Sequence, residues 1–296
     1  MVKKFAILLA LCTALSGCRA AQPQATTGPT RPSAPAATQV PTTQPQFQFP
    51  ETVLADNEYC TFTVRGIDPE GDFGYTLQVL LENKTQWNLM FSLRQVSVNG
   101  WMCDPFFAAT VSAGMKSNEE VSFLKSDLAA NEITEVTDIT FTLAVYDSTD
   151  ILAEDLLEEE FTVYPLGEDA GRIDDRQHRE TDVVLADNED CTILVTGFEP
   201  DSAWGYAMEL YLENHTDDAL MFSAFDVAVN GFMCDPYWAV EVAPGKRCSS
   251  CITWSETDLA YNDITQVESI TLPIRVYNSE DWLEGEILRE TFTITP

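Results

Sequence analysis

Six cysteines beyond the first twenty residues have the widest chemical repertoire of any side chains in this sequence. Cys60 and Cys103 recur 131 residues later as Cys191 and Cys234, while Cys248 and Cys251, separated by two serines, occur once. In an oxidising compartment an even pair per copy reads first as a disulfide that staples a loop, contributing about 2–4 kcal/mol. The alternative is a pair of reduced core thiols. By the same reasoning Cys248 and Cys251 form a local disulfide or stand as incidental thiols, so all six are disulfide candidates. Cys191, Cys234, Cys248 and Cys251 would also supply four thiolates to a tetrahedral zinc, but the first copy carries only two of the four, and no metal is assigned. A Cys-x-x-Cys redox role would need a βαβ context that the pattern lacks.

Acid–base machinery is harder to find. His178 falls in a connecting segment and His215 in a predicted turn where the first copy has Lys84, so neither is a general base kept in both copies. No Gly-x-Ser-x-Gly elbow, His-Glu-x-x-His pair or phosphate-binding glycine loop is present. Carboxylates are too numerous to nominate a catalytic pair, so no catalytic residue and no cofactor is assigned. Asp68, Glu70 and Asp72, or Glu199 and Asp201, are hard oxygen ligands in one turn that suit calcium, but EF-hand spacing is absent and a solvated acidic turn is the plainer reading. The remaining candidates are aromatic. Trp101, Phe106 and Phe107, and their counterparts Phe232, Tyr237 and Trp238, cluster around a Met-Cys-Asp-Pro turn, with Phe73 and Trp204 in an earlier one. Exposed, such rings stack on sugars or anchor a protein; buried, they are core.

The elements that position these residues come in duplicate. Residues 51–165 and 182–296 align at a constant shift of 131 without a gap, with about two in five positions identical. VLADNE at 53–58 returns at 184–189, LMFS at 89–92 at 220–223, and MCDP at 102–105 at 233–236. Residues 166–181, rich in Asp, Glu, Arg and Gly, are the linker. Within each copy apolar residues alternate at period two, the signature of half-buried strands. Tyr206, Met208, Leu210 and Leu212 share a face that Glu209 and Glu213 avoid, and Tyr75, Leu77, Val79 and Leu81 keep the same phase. Ile139, Phe141, Leu143 and Val145, mirrored by Ile270, Leu272, Ile274 and Val276, mark a later strand, and Cys60 shares an inward face with Phe62 and Val64. Asn99-Gly100 and Asn230-Gly231 predict tight turns, since both residue types tolerate positive φ. One short helix is expected at 126–131 and 257–262, with a capping residue in front and Asn behind. Seven or eight short strands in some 115 residues predict an all-β fold: two tandem immunoglobulin-like antiparallel β-sandwich domains, with a small β-barrel as the competitor. The apolar strand followed by Glu82-Asn83-Lys84-Thr85, then LMF at 89–91 and VSVNG at 96–100, resembles the immunoglobulin-like ectodomains of uncharacterised Firmicutes surface lipoproteins. That resemblance implies fold and location and brings no catalytic residue.

The N-terminus carries an address. Lys3 and Lys4 precede an apolar run at 5–15 that is too short to span a bilayer, so residues 1–17 read as a signal peptide. Leu15-Ser16-Gly17-Cys18 resembles the lipobox of bacterial lipoproteins, which implies cleavage before Cys18, lipidation of its thiol and anchoring outside the cytoplasmic membrane. Residues 18–50, dominated by Ala, Gln, Thr and Pro up to Gln46, cannot bury enough apolar surface to fold and form a disordered tether. The balance of 16 Lys+Arg against 48 Asp+Glu, a net charge of -32, repels nucleic acid and anionic membrane surfaces, which leaves the N-terminal lipid as the membrane contact. The sequence thus describes a lipid-anchored cell-surface protein, first a non-catalytic structural or protein-interaction module with an envelope partner. Carbohydrate or cell-wall binding through the aromatic turns is the alternative, and an envelope hydrolase the third reading.

Overall fold

The computed structural model describes residues 49–150, 152–170, 176, 179–281, 283 and 285–296. The signal peptide, Cys18, the tether up to Gln48 and His178 lie outside the described residues. Phe49–Pro296 forms one compact unit that contains both copies.

The first copy runs β1 (Thr52–Asp56), β2 (Cys60–Asp68), β3 (Gly74–Asn83), β4 (Leu89–Val98), β5 (Trp101–Met102), β6 (Ala109–Val111), β7 (Lys116–Leu124), α1 (Lys125–Ala130), β8 (Ile139–Asp147) and β9 (Leu157–Val163). One sheet has the order β1-β2-β3-β7, and the facing layer has β9-β8-β4 with β6 on the outer side of β4. β1 apart, the chain lays two strands in one sheet, crosses for β4 and β6, returns for β7 and crosses again for β8 and β9. This is the Greek-key course of an immunoglobulin-like sandwich, and its open sheet edges exclude the closed barrel. The inward residues are those the alternation names: Phe62, Leu77, Leu81, Ile139, Phe141, Leu143 and Val145 are inaccessible to solvent. Phe62 and Phe141 meet across the layers with ring centroids 6.1 Å apart.

The second copy repeats the plan as β10 (Val183–Asp187), β11 (Cys191–Ser202), β12 (Gly205–Asn214), β13 (Leu220–Ala224), β14 (Ala228–Val229), β15 (Phe232–Met233), β16 (Ala239–Val242), β17 (Arg247–Trp254), α2 (Glu256–Tyr261), β18 (Ile270–Asn278) and β19 (Glu286–Ile294). Its core gathers Ile193, Met208, Leu212, Phe222, Leu272 and Trp254. β12 must start at a glycine: Gly205 has φ of 119°, and a Cβ there would stand 2.2 Å from the Trp254 carbonyl oxygen.

Both Asn-Gly turns form as expected, with φ of 51° and 78° at Asn99 and Gly100 and of 51° and 84° at Asn230 and Gly231. Each asparagine has a second task. Asn99 Nδ2 donates to Glu135 O at 2.7 Å and its Oδ1 accepts from Thr137 N at 2.8 Å; Asn230 does the same with Gln266 O and Glu268 N. The turn is thereby clamped to the segment that follows the short helix. Both helices start one residue earlier than expected. In the second copy Ser255 Oγ accepts from Asp258 N at 3.1 Å, whereas in the first the capping position falls to Leu124, which has no oxygen to offer, and Ser126 Oγ turns to Asp127 instead.

The two sandwiches are joined by backbone. Arg247 N donates to Gly100 O at 3.0 Å, and the parallel rung Arg247↔Trp101 adds β5 to the outer edge of β17. The sheet then runs unbroken from β10 in the second copy to β9 in the first. No helix among the described residues is long and apolar enough to cross a membrane.

Candidate functional site

Each tight turn carries its aromatic residues on a short hairpin, so a ring's fate depends on which way the following two residues point. Trp101 is half-buried between the copies, 5.6 Å from the Tyr211 ring in an edge-on contact and under the Arg247 guanidinium at 5.3 Å. Phe107 packs on the first core, and Trp238 is buried in the second, its Nε1 donating to Ser250 Oγ at 3.0 Å. These three rings do not form a binding platform. Each is engaged with the protein's own side chains, Trp101 with Tyr211 and Arg247, Phe107 with the first core and Trp238 with Ser250.

The other three are open to solvent. Phe106 is 78% exposed and lies 6.4 Å from Phe73, itself 63% exposed. Their counterparts Tyr237 and Trp204 are 98% and 82% exposed, and Phe232 is half exposed. Phe106 is held by a single bridge to the edge of β7, its N donating to Ser122 O at 2.9 Å. Phe73 and Phe106 flank a groove of about 640 Å³ floored by Arg65, Gln78, Asn118 and Glu120. This groove sets two rings beside polar and charged side chains of β2, β3 and β7, the make-up of a ligand-accepting surface.

The cysteines do not pair. All six are thiols. Cys60 sits opposite Asn83 at one end of β3, whereas Cys103 lies near α1, which follows the strand end opposite Gly74. A ten-residue strand separates the two ends by roughly 30 Å, far beyond the about 7 Å that a disulfide spans. Cys191 and Cys234 repeat the arrangement, so the expected staple is corrected to two core thiols per copy. Cys248 and Cys251 project to opposite faces of β17, Cys248 buried and Cys251 exposed, which rules out both their mutual disulfide and a four-thiolate zinc cluster. Burial pushes the thiols of Cys60, Cys191 and Cys248 up to about 11 and that of Cys103 up to about 12, which suppresses thiolate chemistry at neutral pH.

The remaining candidates do local work. Asp68 Oδ1 accepts from Glu70 N at 3.0 Å within the turn, and Glu70 pairs with Lys125 at the start of α1. Among the described residues no three His, Cys, Asp or Glu side chains gather as a metal site would require. His215 Nδ1 lies 3.0 Å from Asn188 O, and Lys84 in the first copy donates to Asn57 O at 2.7 Å. Both residues tie one turn to another.

Sequence reading missed the contact between the copies. Arg176 makes a bidentate, buried pair with Asp182, at 2.7 and 2.9 Å, and stacks on Tyr211 at 4.9 Å. Gln95 Nε2 reaches Glu241 at 3.2 Å and Arg179 reaches Glu132 at 2.9 Å. Burial raises the Asp138 carboxyl, and Lys246 and Arg247 of the second copy partly offset this. The available signal was a change of type at outward positions: Tyr211 stands where the first copy has Leu80, and Arg247 where it has Lys116.

No family model and no curated protein matches the sequence. Among solved structures the chain is similar to the YadV chaperone, at 12% identity over 74% of this chain and 92% of that one, with a TM-score of 0.21. It is also similar to a chain of the CsuC–CsuE chaperone–tip adhesion subunit pre-assembly complex of the archaic chaperone-usher Csu pili of Acinetobacter baumannii, at 14% identity over 74% and 91%, with the same TM-score. Likeness at this level says nothing about binding or activity.

Proposed function

We propose that this chain is a lipid-anchored envelope protein whose fused sandwiches act as a non-catalytic protein-interaction module. The observation that carries the reading is the exposure of aromatic rings at equivalent places in both copies, Phe73 and Phe106 in the first, Trp204 and Tyr237 in the second. Large apolar side chains held in water on ordered turns mark surfaces that are covered by a partner. The lipobox-like Cys18 and the tether of 18–50 would hold this surface outside the cytoplasmic membrane, in keeping with the resemblance to Firmicutes surface lipoproteins.

A second reading has an observation of its own. Gln78, Asn118 and Glu120 lie beside the Phe73 and Phe106 rings, and rings flanked by hydrogen-bonding groups also suit a sugar polymer. The test is binding of the 49–296 body, which contains both cores entire, to isolated cell-wall polymers and to envelope proteins crosslinked on intact cells through a photoreactive group at position 106. Protein crosslinks abolished by Tyr237→Ala or Phe73→Ala support the module; polymer binding lost in the same variants replaces it with carbohydrate recognition. Retention of the Cys18→Ala chain in the membrane fraction would remove the lipid anchor from the account.

A further inference from the structure

The surface that accepts β5 of the first copy has a vacant duplicate. In the second copy the cleft beside the inter-copy contact is lined by Thr196, Glu209, Leu210, Ser249, Ser250 and Cys251, together with Trp101, Glu132 and Arg179 from across it. Shifting the first six by 131 gives Arg65, Gln78, Val79, Asn118, Glu119 and Glu120, and all six line the open groove of the first copy. The two grooves are one surface of the duplicated domain, seen once with a sheet edge docked beside it and once without. Beyond the bridge from Phe106 to Ser122, no described strand pairs with the outer edge of β7, the counterpart of the β17 edge that receives Gly100 and Trp101.

The docking part is duplicated as well. Gly231, Phe232 and Met233 correspond to Gly100, Trp101 and Met102, on a hairpin with the same turn conformation. In the first copy this tip is half-buried against its neighbour; in the second Phe232 and Met233 are 50% and 62% exposed. Asp263 takes the place of Glu132, which in the existing contact reaches a cation, and Arg65, which pairs with Glu51 in its own copy, takes the place of Thr196, which lines the same cleft.

We infer that the second copy's Phe232–Met233 tip docks on the β7 edge of another molecule of the same protein, repeating between chains the contact that joins the copies within one. The interface is heterologous, so each molecule offers one tip and one edge, and assembly runs head to tail. The inference rests on the interaction-module reading and names its partner as a second copy. Its failure would leave a monomeric module free to bind a foreign partner, which the crosslinking at position 106 reads separately.

The experiment is sedimentation velocity on the 49–296 body over a concentration series, at low and at high salt. Wild type is expected to form oligomers that grow with concentration, more readily at high salt because screening weakens repulsion between chains of strongly negative charge. Phe232→Asp removes the tip and Lys116→Asp with Asn118→Asp blocks the edge. Each is expected to lower self-association at least about ten-fold, and an equimolar mixture of the two is expected to give 1:1 dimers, since together they retain one good tip and one good edge. Wild type that stays monomeric at every concentration and salt, oligomers that persist in Phe232→Asp, or a mixture that does not dimerise would each overturn the inference. Circular dichroism of both variants must match wild type, and Phe232→Tyr, which keeps a ring, must restore association.

Discussion

Removing the Trp101 side chain should uncouple the two sandwiches. The indole makes an edge-on contact with Tyr211 and lies under the Arg247 guanidinium, each contributing about 1 kcal/mol beyond simple burial. Half-burial of the ring withdraws roughly 80–100 Å² of apolar surface from water, another 2 kcal/mol or so at about 25 cal/mol per Å². Trp101→Ala should therefore weaken the docking of the copies by about 4 kcal/mol, while the single rung from Arg247 to Gly100 remains. For domains of this size each kcal/mol of lost coupling lowers the melting temperature by roughly 4 °C. Calorimetry of the 49–296 body should show the less stable sandwich melting roughly 15 °C earlier, as a separate transition, with the other unmoved. Trp101→Phe, which keeps a ring, should lose about half as much. Phe232→Ala, the same position on the free tip, should shift neither transition of the monomer by more than about 3 °C. A Trp101→Ala protein that melts like wild type would refute the assignment of Trp101 as the coupling residue.

Three further outcomes follow from side-chain placement. Trp238→Ala empties a buried site and severs the bond to Ser250, so urea melts should show the second sandwich destabilised by about 3–5 kcal/mol, whereas Tyr237→Ala next to it should change stability by less than about 0.5 kcal/mol. The paired Arg176 guanidinium holds the Asp182 carboxyl below its ordinary value, so its contribution is present above about pH 3.9 and is lost as pH falls through the depressed value. The stability gap between wild type and Asp182→Asn should accordingly stay constant from neutral pH down to about 4 and close in more acid solution; a gap that instead closes between pH 6 and 8 would exclude the pair as its source. Iodoacetamide at pH 8 should modify Cys251 alone in the native 49–296 body, since burial holds the other thiols neutral, and all six after denaturation, as peptide mass mapping would read.

How much of this was legible in the sequence follows from what a period of two encodes. Inward alternation marks core directly, which is why Met208, Leu210 and Leu212 or Ile270, Leu272 and Ile274 are buried as read. Asn-Gly encodes a backbone conformation, and both turns adopt it. Alternation does not say which end of a strand a residue occupies. Cys60 and Cys103 both read as sandwich residues within reach of each other, and the register puts a strand length between them. It also carries no sign of what covers an outward residue: Tyr211 and Arg247, outward on β12 and β17, are buried because the other copy lies against them. The aromatic turns failed differently. Composition makes the six rings a cluster, but neighbours such as Phe106 and Phe107 point to opposite sides of an extended segment, one into water and one onto the core.

The self-association inference stands on one premise, that the copies form a single body through β5 on β17. Backbone ¹⁵N relaxation of the 49–296 protein tests it directly. One rotational correlation time shared by both sandwiches, with slow exchange of the Arg247 amide that donates to Gly100, is the predicted result. Two sandwiches tumbling separately, each at the rate of a domain of some 115 residues and with an unprotected Arg247 amide, would contradict it.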